Sequence, residues 1–218
     1  MLLQFIKMKK TILVFVLSMS AYFEALCNNQ KPRTDTAVFE NDYVIVHKNS
    51  NRYGSGIINT IDTRIIVALS KVKLKSAKGK IKMKRGDVMV FSKDENYEIH
   101  KGEFFEVAVK KNHPIPTMPA TWHEPTKNKI VYQDEALRIF EERLNGGEDR
   151  DLHSHLQRLV VRLNEVHLTD PRYYPQGQEG VGIQVPNTVK FAEPVEHVVR
   201  NLSSTPLFNI VIEFKGKK

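Results

Sequence analysis

The chain alternates apolar and polar residues in short runs separated by turn residues. Val72-Lys-Leu74 and Ile81-Lys-Met83 flank Lys78-Gly79, and Gly86-Asp87 precedes Val88-Met-Val-Phe91. A period of two sends successive side chains to opposite faces of a pleated strand, so these runs predict β-strands and Lys78-Gly79 predicts a hairpin. Asp134–Leu144, ended by Gly146-Gly147, predicts one short helix. The four prolines of Asn112–Pro125 predict an extended linker.

The strand pattern repeats. Thr63–Lys75 matches Gln157–Thr169 at an offset of 94, and Phe104–Lys110 resembles Phe208–Phe214 at an offset of 104. The added length falls near Tyr173-Tyr174-Pro175-Gln176-Gly177. Repeats this long are whole domains rather than solenoid units, which predicts two small antiparallel barrels or sandwiches in tandem. The divisions are a leader over 1–27, a first barrel over 28–111, the linker and helix over 112–146, and a second barrel over 147–218.

The leader reading rests on Lys7, Lys9 and Lys10 followed by the apolar run Thr11–Leu17 and then small and polar residues. This is the layout of a secretory signal peptide, with a core too short to span a bilayer comfortably. Ala25-Leu26-Cys27 suits cleavage before Asn28, giving an exported, periplasmic or extracellular protein. A second reading makes Cys27 the lipidated first residue of a lipoprotein, although Leu26 and Glu24 sit poorly with that. Cys27 is the only cysteine, so simple cleavage leaves a chain with no disulfide, thiolate metal site or cysteine nucleophile. Cleavage lowers the net charge from +8 to +6, which is still basic. The lysines between Lys71 and Arg85 read either as a positive strip for an anionic surface (polysaccharide, phospholipid headgroups or nucleic acid) or, preferred here, as a solvated hairpin face that keeps an edge from pairing; export makes nucleic acid an unsuitable partner.

The chemistry concentrates towards the C-terminus. Gly147 is followed after five residues by His153-Ser154-His155, Gly180 after five by Pro186, and His197 is followed four positions on by Asn201. Parity places His153, His155, Gln157, Leu159, Val161 and Leu163 on one inward face and sends Arg158 and Arg162 to solvent. His197, Val199 and Asn201 share a face in the same way. Clustered inward imidazoles find partners in a metal or in one another.

These two spacings resemble the two motifs of the cupin superfamily, and the repeat resembles a tandem bicupin. The resemblance implies an all-β fold of two tandem cupin-type double-stranded β-helix (jelly-roll) barrels with one short helix between them. It also implies His153, His155 and His197 as metal ligands, His197 being reached only by accepting an insertion past Phe191. The glutamate that usually follows the second histidine is replaced by Leu159 or Val160. Zinc, manganese, nickel and iron are the candidate ions, three imidazoles suiting zinc best. Gln157 is a candidate fourth ligand, and Tyr173, Tyr174 and Asn201 are candidate contacts for a small ligand. At the 94-residue offset Asn59 and Ile61 stand where His153 and His155 do, so the first half resembles a degenerate cupin. No organic cofactor is called for. The functional readings are a metal-binding bicupin taking a small carboxylate or sugar-derived ligand, a metal-free carbohydrate-binding or homodimeric interaction protein, and a sugar-derivative isomerase or epimerase using the histidines.

Overall fold

Alternation becomes sheet throughout. The structure, a computed structural model, describes residues 37–50, 61–92, 95–117, 121–124, 128–170 and 182–215. The first half contributes β1 (Phe39–Glu40), β2 (Val44–Ser50), β3 (Ile61–Ala68), β4 (Val72–Ser76), β5 (Gly79–Met83), β6 (Val88–Ser92), β7 (Tyr97–Lys101) and β8 (Glu103–Lys110). These form a five-stranded sheet, β1-β2-β8-β3-β6, and a three-stranded sheet, β5-β4-β7. The second half contributes β9 (Lys129–Gln133), β10 (Leu137–Leu144), β11 (Asp149–His155), β12 (Arg158–Arg162), β13 (Val166–Thr169), β14 (Ile183–Gln184), β15 (Thr188–Ala192), β16 (Val195–Asn201) and β17 (Leu207–Phe214). Its sheets are β15-β12-β17-β10-β9 and β11-β16-β13-β14. The order β2-β8-β3-β6 recurs as β10-β17-β12-β15, and β3/β12 and β8/β17 are the segments related by the two sequence offsets. The hairpin at Lys78-Gly79 forms between β4 and β5, with Gly79 at φ +107.

The five-stranded sheets turn one face each into a shared core. Val44, Val46, Ile65, Val67 and Val107 come from the first, and Leu159, Val161, Ile210 and Ile212 from the second. Each such side chain contributes roughly 1.5–3 kcal/mol by leaving water. The opposite faces close over separate clusters, Leu74, Phe91, Ile99 and Phe104 in the first half and Leu144, Val166, Val199 and Leu207 in the second. Arg85 ties the halves together: its guanidinium donates to the backbone oxygens of Leu69 and Leu163 and to Asn187 Oδ1 at 2.8 Å.

Two sequence expectations are corrected here. The segment expected to be the helix Asp134–Leu144 is a turn followed by β10. Asp134 Oδ1 accepts from the backbone N–H groups of Ala136 and Leu137, and all eight residues of β10 pair with β17. Leu137, Phe140 and Leu144 mimic a helical stripe, but on the strand Leu137 enters the shared core while Phe140 and Leu144 are buried on other sides. Burial of both faces overrides the helix propensity of a Glu- and Arg-rich segment. Arg158 is buried rather than solvent-facing. Leu156 and Gln157 separate β11 from β12, so the parity running through the histidines does not continue into the next strand. Leu159 and Val161 enter the shared core, and Arg158 takes the other face.

The leader, Cys27, Asn59, Gly180, Tyr173 and Tyr174 lie outside the described residues.

Candidate metal centre

Strands β11 and β16 pair antiparallel with His153 directly opposite His197. His155 lies two residues further along the same face, so the pleat brings the three imidazoles together. Their ring centroids are 4.5, 4.8 and 5.3 Å apart, and one nitrogen from each lies within 4.8 Å of the others. Three nitrogens on one zinc at about 2.0–2.1 Å stand about 3.4 Å apart in a tetrahedron, within reach of small rotamer adjustments. A register shift between Arg150 and His153 changes the phase of β11, so Arg150 and His153 are both buried although one is even and the other odd.

The hydrogen bonds assign tautomers. His153 Nδ1 donates to the Asp151 carbonyl at 2.7 Å; a carbonyl only accepts, so the Nε2 lone pair is free. That Nε2 is buried with no hydrogen-bond partner, and so is His197 Nε2. His155 Nδ1 donates to Glu213 Oε1 at 2.7 Å, and the ring stacks on Phe140. Glu213 is fully buried, and its Oε2 accepts from Arg138 Nε at 2.9 Å and Nη2 at 2.6 Å. A carboxylate that holds Nδ1–H fixes ring orientation and raises the basicity of the opposite nitrogen.

Burial dominates the electrostatics. It pushes all three histidines below their ordinary range, His197 to about 2, with the neighbouring His155 and His153 adding to that shift. Burial pushes Glu213 up, with Arg138 pulling against it. Burial acts to raise Glu142, yet its carboxyl is held below the usual range, with Arg150 and the amide of Asn209 pulling it down. Asn209 Nδ2 donates to Glu142 Oε2 at 2.9 Å, and Arg150 lies 3.7 Å from Oε1. Arg158 Nη1 donates to the Glu193 carbonyl at 2.9 Å. The buried charges around the histidines are Arg150, Arg158, Glu142 and Glu213, with the largely buried Arg138 paired to Glu213. Neutral imidazoles, two of them with buried unpartnered Nε2 atoms, form a donor set that fits a divalent cation.

Neither the family models nor the curated proteins match this sequence. Solved structures do. A cupin 2 conserved barrel domain protein from Leptotrichia buccalis aligns with a TM-score of 0.54 over 88% of this chain and 94% of its own, at 11% identity. The chain has the cupin fold. A variant of the salicylate 1,2-dioxygenase from Pseudoaminobacter salicylatoxidans aligns at a TM-score of 0.51 and 5% identity, covering 85% of this chain and 73% of that one. An oxalate decarboxylase aligns at 0.51 and 10% identity, over 84% and 72%.

Within this cupin fold the structure gathers only part of the set expected from sequence. His153, His155 and His197 converge, with His197 directly opposite His153. Gln157 is engaged elsewhere: its Oε1 accepts from Tyr43 Oη at 2.6 Å and its Nε2 donates to Glu193 at 2.8 Å. Asn201 is buried and bound to backbone, donating to the carbonyls of Leu144 and Thr205 and accepting from Ser203 N. It braces the loop after β16 rather than facing the histidines.

Sequence reasoning missed Glu213, Glu142, Arg150 and Arg158. A signal for Glu213 was present, since Asn209 and Glu213 interrupt an apolar strand at positions of the same parity. None existed for Arg158, because its inward placement depends on the break at Leu156-Gln157.

Proposed function

We propose that the second barrel binds one divalent cation through the Nε2 atoms of His153, His155 and His197 and uses it to hold a small anionic ligand, a carboxylate being the simplest. The observation that carries this reading is the pair of buried, partnerless Nε2 atoms on His153 and His197 beside a His155 oriented by Glu213. A buried acceptor without a partner costs about 1–3 kcal/mol, which a bound ion would recover. The ligand class follows from charge. Arg138, Arg150 and Arg158 already outnumber Glu142 and Glu213, so a dication on neutral imidazoles adds charge that these residues do not balance. An anion in the remaining coordination position offsets it, beside histidines that already feel the positive charge of Arg158. Three protein donors leave such a position open, and a cation held this way supplies Lewis-acid polarisation of an oxygen ligand.

The test is metal content of tag-free protein, wild type against His155→Ala, before and after incubation with zinc, manganese, nickel and iron. Near-stoichiometric metal lost in the variant supports the reading. No retained metal in wild type with any of the four ions overturns it in favour of a metal-free ligand pocket. We further propose export with removal of residues 1–27; an intact mass that begins at Asn28 supports this, and a mass retaining the leader in exported material refutes it.

A further inference from the structure

The outward face of the sheet β5-β4-β7 carries an arrangement that sheet stability alone disfavours. Lys73 stands directly opposite Lys82 and Lys75 directly opposite Lys80, all four exposed. On the other side Lys73 faces Lys101, and only Lys75 meets a carboxylate, Glu98. Like charges in direct cross-strand register are destabilising. Protection of an exposed edge would account for Lys80 and Lys82, because β5 is the edge strand. It does not account for Lys73 and Lys75, because β4 is the central strand of this sheet. The inward residues of β4, Val72 and Leu74, are fully committed to the core of the first half, so the lysine row is the outer half of a strand whose inner half is fixed.

Cross-strand neighbours stand about 4.5–5.5 Å apart and residues two apart along a strand about 6.7 Å. Neighbouring lysines among Lys73, Lys75, Lys80, Lys82 and Lys101 thus lie within roughly one Debye length of one another at physiological salt, and together they form a positive plate. Lys71 and Lys84, also exposed, extend it at the ends of β4 and β5.

We propose that this face docks on an anionic phospholipid surface. A pleated sheet presents its lysines in one layer, which suits a planar partner better than a single polymer chain needing a groove. The outward positions of β4 and β5 interleave no aromatic ring or arginine with the lysines, as stacking on bases would require. Long ammonium side chains reach headgroups without inserting apolar surface, so attachment is electrostatic and reversible. The five-stranded sheet of the first half packs against the second half, so the docked lysine face leaves the histidine-bearing barrel turned away from the lipid.

The experiment is co-sedimentation of the wild type with vesicles of neutral phosphatidylcholine, alone or mixed with phosphatidylglycerol. Binding to the anionic vesicles alone is expected, abolished at about 1 M salt, where the Debye length falls to about 3 Å. Lys73→Gln with Lys75→Gln should lower partition about 25-fold, at about fivefold per lysine. It should leave the melting temperature unchanged or raised, since it removes like-charge pairs. Lys190→Gln, an exposed lysine on β15 of the other barrel, should change partition by less than about twofold. Equal binding to both vesicle types, an effect of Lys190→Gln matching that of the β4 pair, or capture by a soluble sulfated polysaccharide without vesicle binding would each overturn the proposal.

Discussion

Replacing Glu213 by Gln separates two roles that its contacts assign to one carboxylate. The side chain is fully buried, accepts two hydrogen bonds from Arg138 and one from His155, and lies within the pairing between β12 and β17. Removing one member of a buried ion pair costs about 3–5 kcal/mol. Arg138 keeps Glu124 at 3.0 Å, so about 3 kcal/mol is expected. At a urea slope of about 2 kcal/mol/M this lowers the midpoint by about 1.5 M. The second role is orienting His155. An amide is a weaker acceptor than a carboxylate and can offer its N–H₂ face instead, so zinc affinity should fall about 10–100-fold. Urea denaturation of the metal-free protein measures the first effect, and competition against a chromophoric chelator the second. If stability falls as expected while zinc affinity stays within about twofold of wild type, Glu213 serves only Arg138 and the orientation argument is wrong. Adding Arg138→Met to Glu213→Gln should cost less than Arg138→Met alone, because the arginine has already lost its buried partner.

Other predictions address pH and packing. In the metal-free protein the histidines are held below 6.5, so below that pH the unfolded chain takes up protons that the native state refuses. Stability is therefore complete above about pH 6.5 and falls on acidification by up to about 1.4 kcal/mol per pH unit per histidine; a flat urea midpoint between about pH 7 and 5, or a slope unaltered by His197→Phe, refutes this. Gly86 sits at φ +86, and a methyl added there would clash with the Phe208 ring, so Gly86→Ala should lower stability by about 1–3 kcal/mol, read by thermal melting. Leu159→Ala empties part of the core shared by the two five-stranded sheets and should cost about 2–5 kcal/mol; a loss below about 1 kcal/mol in urea denaturation would mean that core is loosely packed.

Much of the strand pattern was legible in the chain because period-two alternation is a local property. Val72-Lys-Leu74 and Ile81-Lys-Met83 needed only their own side chains to predict β4 and β5, and the two sequence offsets marked the segments that became β3 with β12 and β8 with β17. His153 and His155 were legible as a pair for the same reason, since two residues apart on a strand is one face. What was not legible depended on partners distant in sequence. β10 looked helical because nothing local reveals that both of its faces are covered, and Arg158 looked exposed because the break at Leu156-Gln157 carries no strong turn signal. Whether Gln157 joins the histidines was decided by Tyr43, which lies 114 residues away and takes its amide oxygen. Glu213 meets His155 across 58 residues, a contact written only in the placement of β17 relative to β11. The sequence by itself determined most of the strands, β10 excepted, and that His153 and His155 share a face; the tertiary structure alone decided that His197 joins them and which charges are buried around them, because both depend on what the rest of the chain lays over each face.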